Sequence, residues 1–493
     1  MTALRAKIQT FSRERLMLVL SVYIICQPLL DILTALGARA GHAVTAGVVV
    51  RSLFMALSIL YAVFITDFPG KRLPIIYAGI LVGYLALFML QLLLVGGISL
   101  CFQNLTEVVK TFFAPFVLVF LYCVYKEYGF SVTTQSIGAA GAVYCSVILL
   151  AFLTGTSNVS YANSGYGYNG WFYAANEVGC IVALTAPFTL YHCVKMVPGI
   201  TKKTWWKVPV IVWCLAAAAF SANFIGTKIV FYFSLLYALA VLVWMLFRLW
   251  KERSTAALRQ VGVVLMLAVM ILGLYPFSAL NGYLKNVYDP IIDVPSDELI
   301  TWWPSENMPD QLPNGVEPGV VLNELQYANE GAWLAGLLTR SPIIQKLDQV
   351  LSRRLYSASP SVQVFLDGGI GIKLLGIGYV STEAYGRSIR FMIEMDPLAI
   401  LVRHGLVGFV LYCVPYFAFI AYAVIQFFKH PLLRLSSLSY CTLLYCALAG
   451  FAIATAAGHA LVSPAVSTFV LVGGMQLWVR TQEQNKLPKA QKT

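Results

Sequence analysis

Long apolar stretches, each broken by only a few polar residues, recur along most of this chain. A helix needs about 20 predominantly apolar residues to cross the hydrocarbon core of a bilayer. By that measure spans are expected at Leu16–Leu36, Val44–Ile65, Pro74–Val95, Leu105–Val124, Ser136–Leu153 and Glu177–Val194. Six more are expected at Val208–Phe224, Ile229–Phe247, Val261–Leu280, Pro397–Phe428, Leu435–Ala456 and Ala460–Val479. The hinge between the seventh and eighth is the shortest connection. Twelve spans place both termini on one side of the membrane. The expected fold is an all-α polytopic membrane protein of about 12 transmembrane helices.

Composition supports that reading. Hydrophobic residues make up 59% of the 493 and charged residues only 11%, against about 25% charged in ordinary globular chains. So few charges cannot cover a water-soluble surface, which excludes a disordered chain, a coiled coil and a cytosolic enzyme. The formal net charge is +12, and its distribution follows the connections. Twenty-one of the 34 Lys and Arg residues fall in the N-terminus, in every second connection and in the tail. Cytoplasmic segments carry such an excess, so both termini are expected in the cytoplasm and a nucleic-acid partner is not. Ala38-Arg39-Ala40 resembles a signal cleavage site, but the preceding stretch is longer than the usual 7–15 residues and carries Asp31, so a retained first span is expected. The ten cysteines lie almost wholly within spans. They suggest neither a disulfide framework nor a metal site, and no cofactor is expected.

The expected organisation is a bundle over 1–280, an extracytoplasmic loop over 281–396, a second set of spans over 397–480 and a tail over 481–493. The loop is 116 residues long, and loops of that length are usually functional or independently structured. From Asn286 to Thr339 it has nine acids and no base, with six prolines; from Arg340 to Asp396 it has seven bases and five acids. Ser341-Pro342 is a good helix start. Ile343, Ile344, Leu347, Val350, Leu351 and Leu355 then fall on one face. A second short helical turn is expected from Ser359-Pro360, followed by a sharp turn through the glycines between Gly368 and Gly378.

Ionisable groups within a span cost about 2.5–3.5 kcal/mol each on the insertion scale and need an explanation. Asp31 and Arg51 lie at similar depth in neighbouring spans and suit a structural ion pair. Glu107 and Lys110 are one helical turn apart, so Lys110 either pairs locally or reaches a ligand. Asn176 and Glu177 open the sixth span, where a helix start favours a carboxylate. Lys228 sits in the very short turn between two spans and either snorkels or binds an anion. The outer cations Lys110, Lys228, Arg353, Arg354, Arg387 and Arg390 surround Glu394 and Asp396. Fixed cations suit a diphosphate, and a neighbouring carboxylate could take a proton from a hydroxyl nucleophile. Together they suggest transfer from a lipid-linked diphosphate donor.

Four segments carry a resemblance: GWFYAANEVGCIVAL (Gly170–Leu184), IGTKIV (Ile225–Val230), LLGIGY (Leu374–Tyr379) and IEMDPLAILVRHGLVGF (Ile393–Phe409). Their order resembles the O-antigen ligase and polymerase-like family, and QPLLDIL (Gln27–Leu33) resembles its Gram-positive branch. The resemblance covers most of the chain. It implies a membrane glycosyltransferase of C-superfamily architecture, with a large, partly helical outer loop between spans nine and ten. Such an enzyme moves glycan from an undecaprenyl-diphosphate donor to a glycan or cell-envelope acceptor, outside the cytoplasmic membrane. It works within the lipid bilayer, beside other polysaccharide assembly proteins and usually without a metal. Lys228 stands where the family's ligases carry a diphosphate-holding arginine, and Arg354 matches a second basic position. Those ligases carry His-Asn eleven residues before the first glycine of GxxG; counting back from Gly405 lands on Glu394. The resemblance therefore passes the base role to Glu394 or Asp396, and favours a surface polymer other than lipid A core.

The rival reading is a twelve-span secondary transporter or a lipid-linked sugar flippase. Asp67–Arg72 partly matches the loop signature of the major-facilitator transporters. However, Val63 stands where the leading glycine belongs, and Phe68 where a base is expected.

Overall fold

The computed structural model describes residues 2–41, 45–129, 132–161, 166–282, 354–381 and 393–486, with short pieces at 341, 343–344, 346–347, 351 and 389–390. Of the apolar-faced helix expected from Ser341, residues 343–344 and 346–347 are helical and 342, 345, 348–350 and 352–353 lie outside the described residues, as does all of the acidic half of the loop.

The chain is helical nearly throughout. In order, α1 spans Thr2–Ile25, α2 Gln27–Arg39, α3 Ala46–Phe64, α4 Arg72–Tyr128, α5 Thr134–Leu153, α6 Ala175–Met196, α7 Lys207–Phe224, α8 Lys228–Glu252 and α9 Thr255–Leu274. After the outer connection come α10 (Arg354–Asp367), α11 (Ile370–Leu375), α12 (Asp396–Lys429), α13 (Pro431–Leu435), α14 (Leu438–Ala456) and α15 (Pro464–Asn485). Two small antiparallel pairs interrupt them: β1 (Asn158–Tyr161) with β2 (Tyr166–Gly170), and β3 (Val380–Ser381) with β4 (Ile389–Arg390). Among the described residues nine helices are long and apolar enough to cross a membrane, or ten if α1 and α2 form one bent span. This is an all-α polytopic membrane protein.

Three expected elements differ in detail. The first span is two helices meeting at Cys26 with a 47° bend. Pro28 lies at the start of α2, and a proline lacks the N–H that would carry the preceding helix through unbroken. Two expected spans share the 57-residue α4, broken at Gly97 (φ 69°). The turn expected from Ser359 is the middle of α10, which starts at Arg354. There Ala358 and Val362, with Phe365, pack on Ile393, Ala399 and Val402. The i, i+4 spacing of that buried face outweighs the local signal of Pro360.

The chain divides into two compact units. The first comprises residues 1–83, 106–282 and 414–493. Its central helix is α6, buried on every side from Val178 to Tyr191, as expected of a helix without a polar face. Thr189 Oγ1 ties it to α5 by donating to Gly138 O at 2.9 Å. One buried polar cluster in this unit is closely matched. Arg51 reaches Asp31 Oδ1 at 2.5 Å and Gln27 Oε1 at 2.8 and 3.0 Å, and Tyr144 donates to the other Asp31 oxygen. The ion pair expected from the sequence is therefore the centre of a buried four-residue network.

The second unit comprises residues 84–105 and 283–413. Its described part is built around a break in α12 at Gly405 (φ 66°, ψ −175°). A helix break leaves the carbonyls of that turn without their usual donors. Here Ile377 N donates to Val402 O and Gly378 N to Arg403 O, both at 3.0 Å, while Tyr84 Oη donates to His404 O at 2.6 Å.

Candidate functional site

The segment Gly376–Tyr379 is stapled to the broken turn of α12. Two glycines make the approach possible. A Cβ on Gly376 would lie 2.3 Å from the Arg403 carbonyl, and one on Gly405 2.4 Å from that of Leu374. Real Cβ contacts are not that short, and both residues have positive φ, so only glycine fits either place. Polar side chains from the 84–105 segment complete the staple. Gln91 Nε2 donates to Gly376 O at 2.8 Å, and Asn104 Oδ1 accepts from Tyr379 N at 2.6 Å. Tyr379 Oη lies 2.7 Å from Nε2 of the fully buried His404, with the Arg403 guanidinium 4.9 Å from the Tyr379 ring centroid. This assembly fixes the start of α12, and with it the residues just before.

Glu394 lies just before α12, and Asp396 is its first residue. Glu394 accepts from Arg354 Nε at 2.5 Å, with about a third of its side chain exposed and about a seventh of arginine's. The apolar cluster of α10 with Ile393 and Ala399 holds their backbones together. An arginine at the start of α10 thus meets a carboxylate at the mouth of α12. Asp396 is placed differently: it occupies the first turn of α12 and is 1% exposed.

Lys228 belongs to the first unit and is the first residue of α8, preceded by Gly226 and Thr227. The start of α6 packs close by, where a Cβ on Gly179 would come within 2.5 Å of Thr227 Oγ1. That hydroxyl is buried without a hydrogen-bond partner among the described residues. A lysine, a hydroxyl and the first amides of a helix form a surrounding suited to an anion. Asn176 and Glu177 lie in the first turn of α6, whose N-cap is Ala174 and makes no side-chain cap. Glu177 is thus a first-turn charge at a helix start. Lys110 donates to Glu107 Oε1 at 3.0 Å, the local pair the spacing allowed. Arg353 and Arg387 lie outside the described residues, and of Arg390 only the backbone, in β4, is described.

Sequence reasoning missed the staple. Tyr84, Gln91 and Asn104 are polar residues inside apolar stretches, which was the available signal. Tyr379 and His404 stand inside two of the quoted motifs, but no role was assigned to them.

Residues 13–484 match the family described as O-antigen ligase like membrane protein. The chain belongs to that family. Membership spans almost the whole sequence and indicates a membrane protein of glycan ligation or polymerisation, acting by glycosyl transfer. No curated protein and no solved structure matches it.

Proposed function

We propose that this O-antigen ligase-like protein transfers or polymerises undecaprenyl-diphosphate-linked glycan units on the outer face of the cytoplasmic membrane. In this reading twelve spans carry the chain, both termini are cytoplasmic, and the segment from 281 to 396 is extracytoplasmic. The acceptor is a hydroxyl of a glycan or another cell-envelope molecule.

The observation that carries the reading is the contact between Arg354 and Glu394. Glu394 occupies the position where the resemblance expects the family's base, and it is the more exposed of the two candidate acids. With a donor present, the Arg354 guanidinium has donors for both the carboxylate and a phosphate oxygen, since its fork carries five N–H groups. The acceptor hydroxyl passes its proton to Glu394 as its oxygen attacks the anomeric carbon. The bond from that carbon to the phosphate oxygen breaks, and undecaprenyl diphosphate leaves with the electron pair. One displacement inverts the anomeric configuration. Arg354 stabilises charge as it grows on the departing diphosphate, an interaction stronger in the transition state than before it. Buried Asp396 supports the start of α12. Lys228 is the diphosphate-binding cation proposed for the first unit, with Thr227 beside it. Arg353, Arg387 and Arg390 are further proposed donor contacts. Lys110 and Glu107, like Asn176 and Glu177, are proposed to shape the surroundings.

The test is purified protein in detergent supplied with lipid-linked oligosaccharide. Longer glycan with stoichiometric release of undecaprenyl diphosphate is expected. Transport of the intact lipid-linked unit across vesicles without a new glycosidic bond would overturn the proposal in favour of a flippase.

A further inference from the structure

The first unit contains a polar cleft of about 480 Å³ at the opposite ends of α6 and α8 from Glu177 and Lys228. It is formed where helix ends converge: the last turns of α6, α8 and α15, an early turn of α9 and the start of α14. Three cations line it, Lys195, Arg248 and Arg480, against two carboxylates, Glu252 and Glu483, together with Ser436, Ser437 and Ser439. Its size falls within the range of small-molecule sites, about 300–1,000 Å³.

The lining has the chemistry of a phosphate site. Lys195 has no carboxylate partner among the described residues; its ammonium sits 4.9 Å from the Tyr191 ring centroid. Among the described residues the carboxylate partners of Arg248 and Arg480 lie on their own helices, Glu252 at 2.8 Å and Glu483 at 3.1 Å, and these pairs are exposed. Such pairs hold weakly and exchange readily for a better acceptor. Gln260, nearly buried, fixes the wall by donating to Val194 O at 3.1 Å and accepting from Arg248 Nη1 at 3.4 Å.

The surroundings indicate where the phosphate comes from. Trp244 lines the cleft and donates to Leu435 O at 2.5 Å. At the end of α8, Phe247 and Trp250 are each more than 60% exposed. Aromatic residues exposed in this way mark the level of lipid headgroups, and basic pockets between spans at that level hold anionic headgroups. All these helix ends border connections rich in Lys and Arg.

We propose that this cleft binds the phosphate of an anionic membrane lipid, with Lys195, Arg248 and Arg480 as its contacts. The site is separate from glycan transfer, and none of the residues assigned to transfer lines it.

The experiment is lipid retention by the full chain, read by native mass spectrometry after exchange into mixed micelles of phosphatidylglycerol or phosphatidylcholine. Phosphatidylglycerol should be retained preferentially. Lys195→Gln should lower that retention about fivefold, the equivalent of ~1 kcal/mol for one base at a headgroup. Lys195→Gln with Arg480→Gln should bring it down to the phosphatidylcholine level, and Lys195→Arg should keep it. Both substituted side chains are at the surface, and the single variant stands alone if the double one fails to fold. Equal retention of the two lipids, or unchanged retention in Lys195→Gln, would overturn the proposal. A third arm uses inorganic phosphate at constant ionic strength. Displacement of the lipid by millimolar phosphate would assign the cleft to a soluble anion and overturn the lipid source.

Discussion

Arg354 and Glu394, forty residues apart in sequence, meet at 2.5 Å through arginine's Nε. Either the contact is a brace between two helix starts, or it is the working pair of the transfer reaction. Exchanging the two charges separates these roles. Arg354→Glu with Glu394→Arg would preserve a brace but could not supply a base at the right place. The exchanged protein should insert and unfold like the parent, with polymer formation lost. Recovery of activity in the exchange would remove both residues from the chemistry.

Glu394→Gln keeps the shape and one acceptor atom but cannot take a proton. Loss of a general base costs about 10²–10⁴-fold in turnover. The expected result is a fall of that size in kcat, with membrane insertion intact and donor KM little changed. Activity near that of the parent would show that the proton goes elsewhere.

Lys228→Ala should act mainly on donor affinity. A charge-assisted hydrogen bond is worth about 1.5–3 kcal/mol, so a rise of about ten- to a hundredfold in apparent donor KM is expected, with Lys228→Arg retaining most of the affinity. An unchanged KM for the alanine variant would reduce Lys228 to a surface charge at the start of α8.

The Asp31–Arg51 network should behave as structure. Removing Arg51 alone leaves a buried carboxylate without its cation, which costs about 3–5 kcal/mol. Arg51→Met should therefore lower the midpoint of thermal unfolding markedly. Asp31→Asn with Arg51→Met should recover much of the loss, with transfer per folded molecule near that of the parent. A selective loss of turnover in the double variant would instead give the network a part in the reaction.

The Tyr379–His404 contact can be tested gently. Tyr379→Phe keeps the ring beneath Arg403 but removes the hydroxyl facing His404. A buried polar atom left without its partner costs about 1–3 kcal/mol, so reduced stability is expected; an unfolding midpoint unchanged from the parent would mean that this hydrogen bond does not hold the staple.

Many spans and two ion pairs were legible because apolar length and the depth or spacing of opposite charges are read directly along the sequence. Apolar length identified α3, α5, α7 and α8 within a few residues, and the turn spacing of Glu107 and Lys110 allowed the local pair as one of two outcomes. What stayed hidden depends on contacts between distant segments. The start of α10 is set by packing on Ile393 and Ala399, which local proline chemistry does not reveal. The staple needs Gln91 and Asn104 to meet residues 376–379, more than 270 positions away. Lys71 is a smaller case. In the stretch that partly resembled a transporter signature, its ammonium closes the turn by donating to Val63 O at 2.8 Å and to Thr66 O, so the basic residue is explained by capping alone.

The meeting of Gly376 with Gly405 also works as a ruler. Two consecutive amides, at Ile377 and Gly378, serve two consecutive carbonyls at Val402 and Arg403. One residue added between Gly376 and Tyr379 would put every donor out of step with its acceptor and pull Tyr379 away from His404. Chains of this architecture should therefore tolerate length changes before α10 far more readily than a single insertion in these four residues.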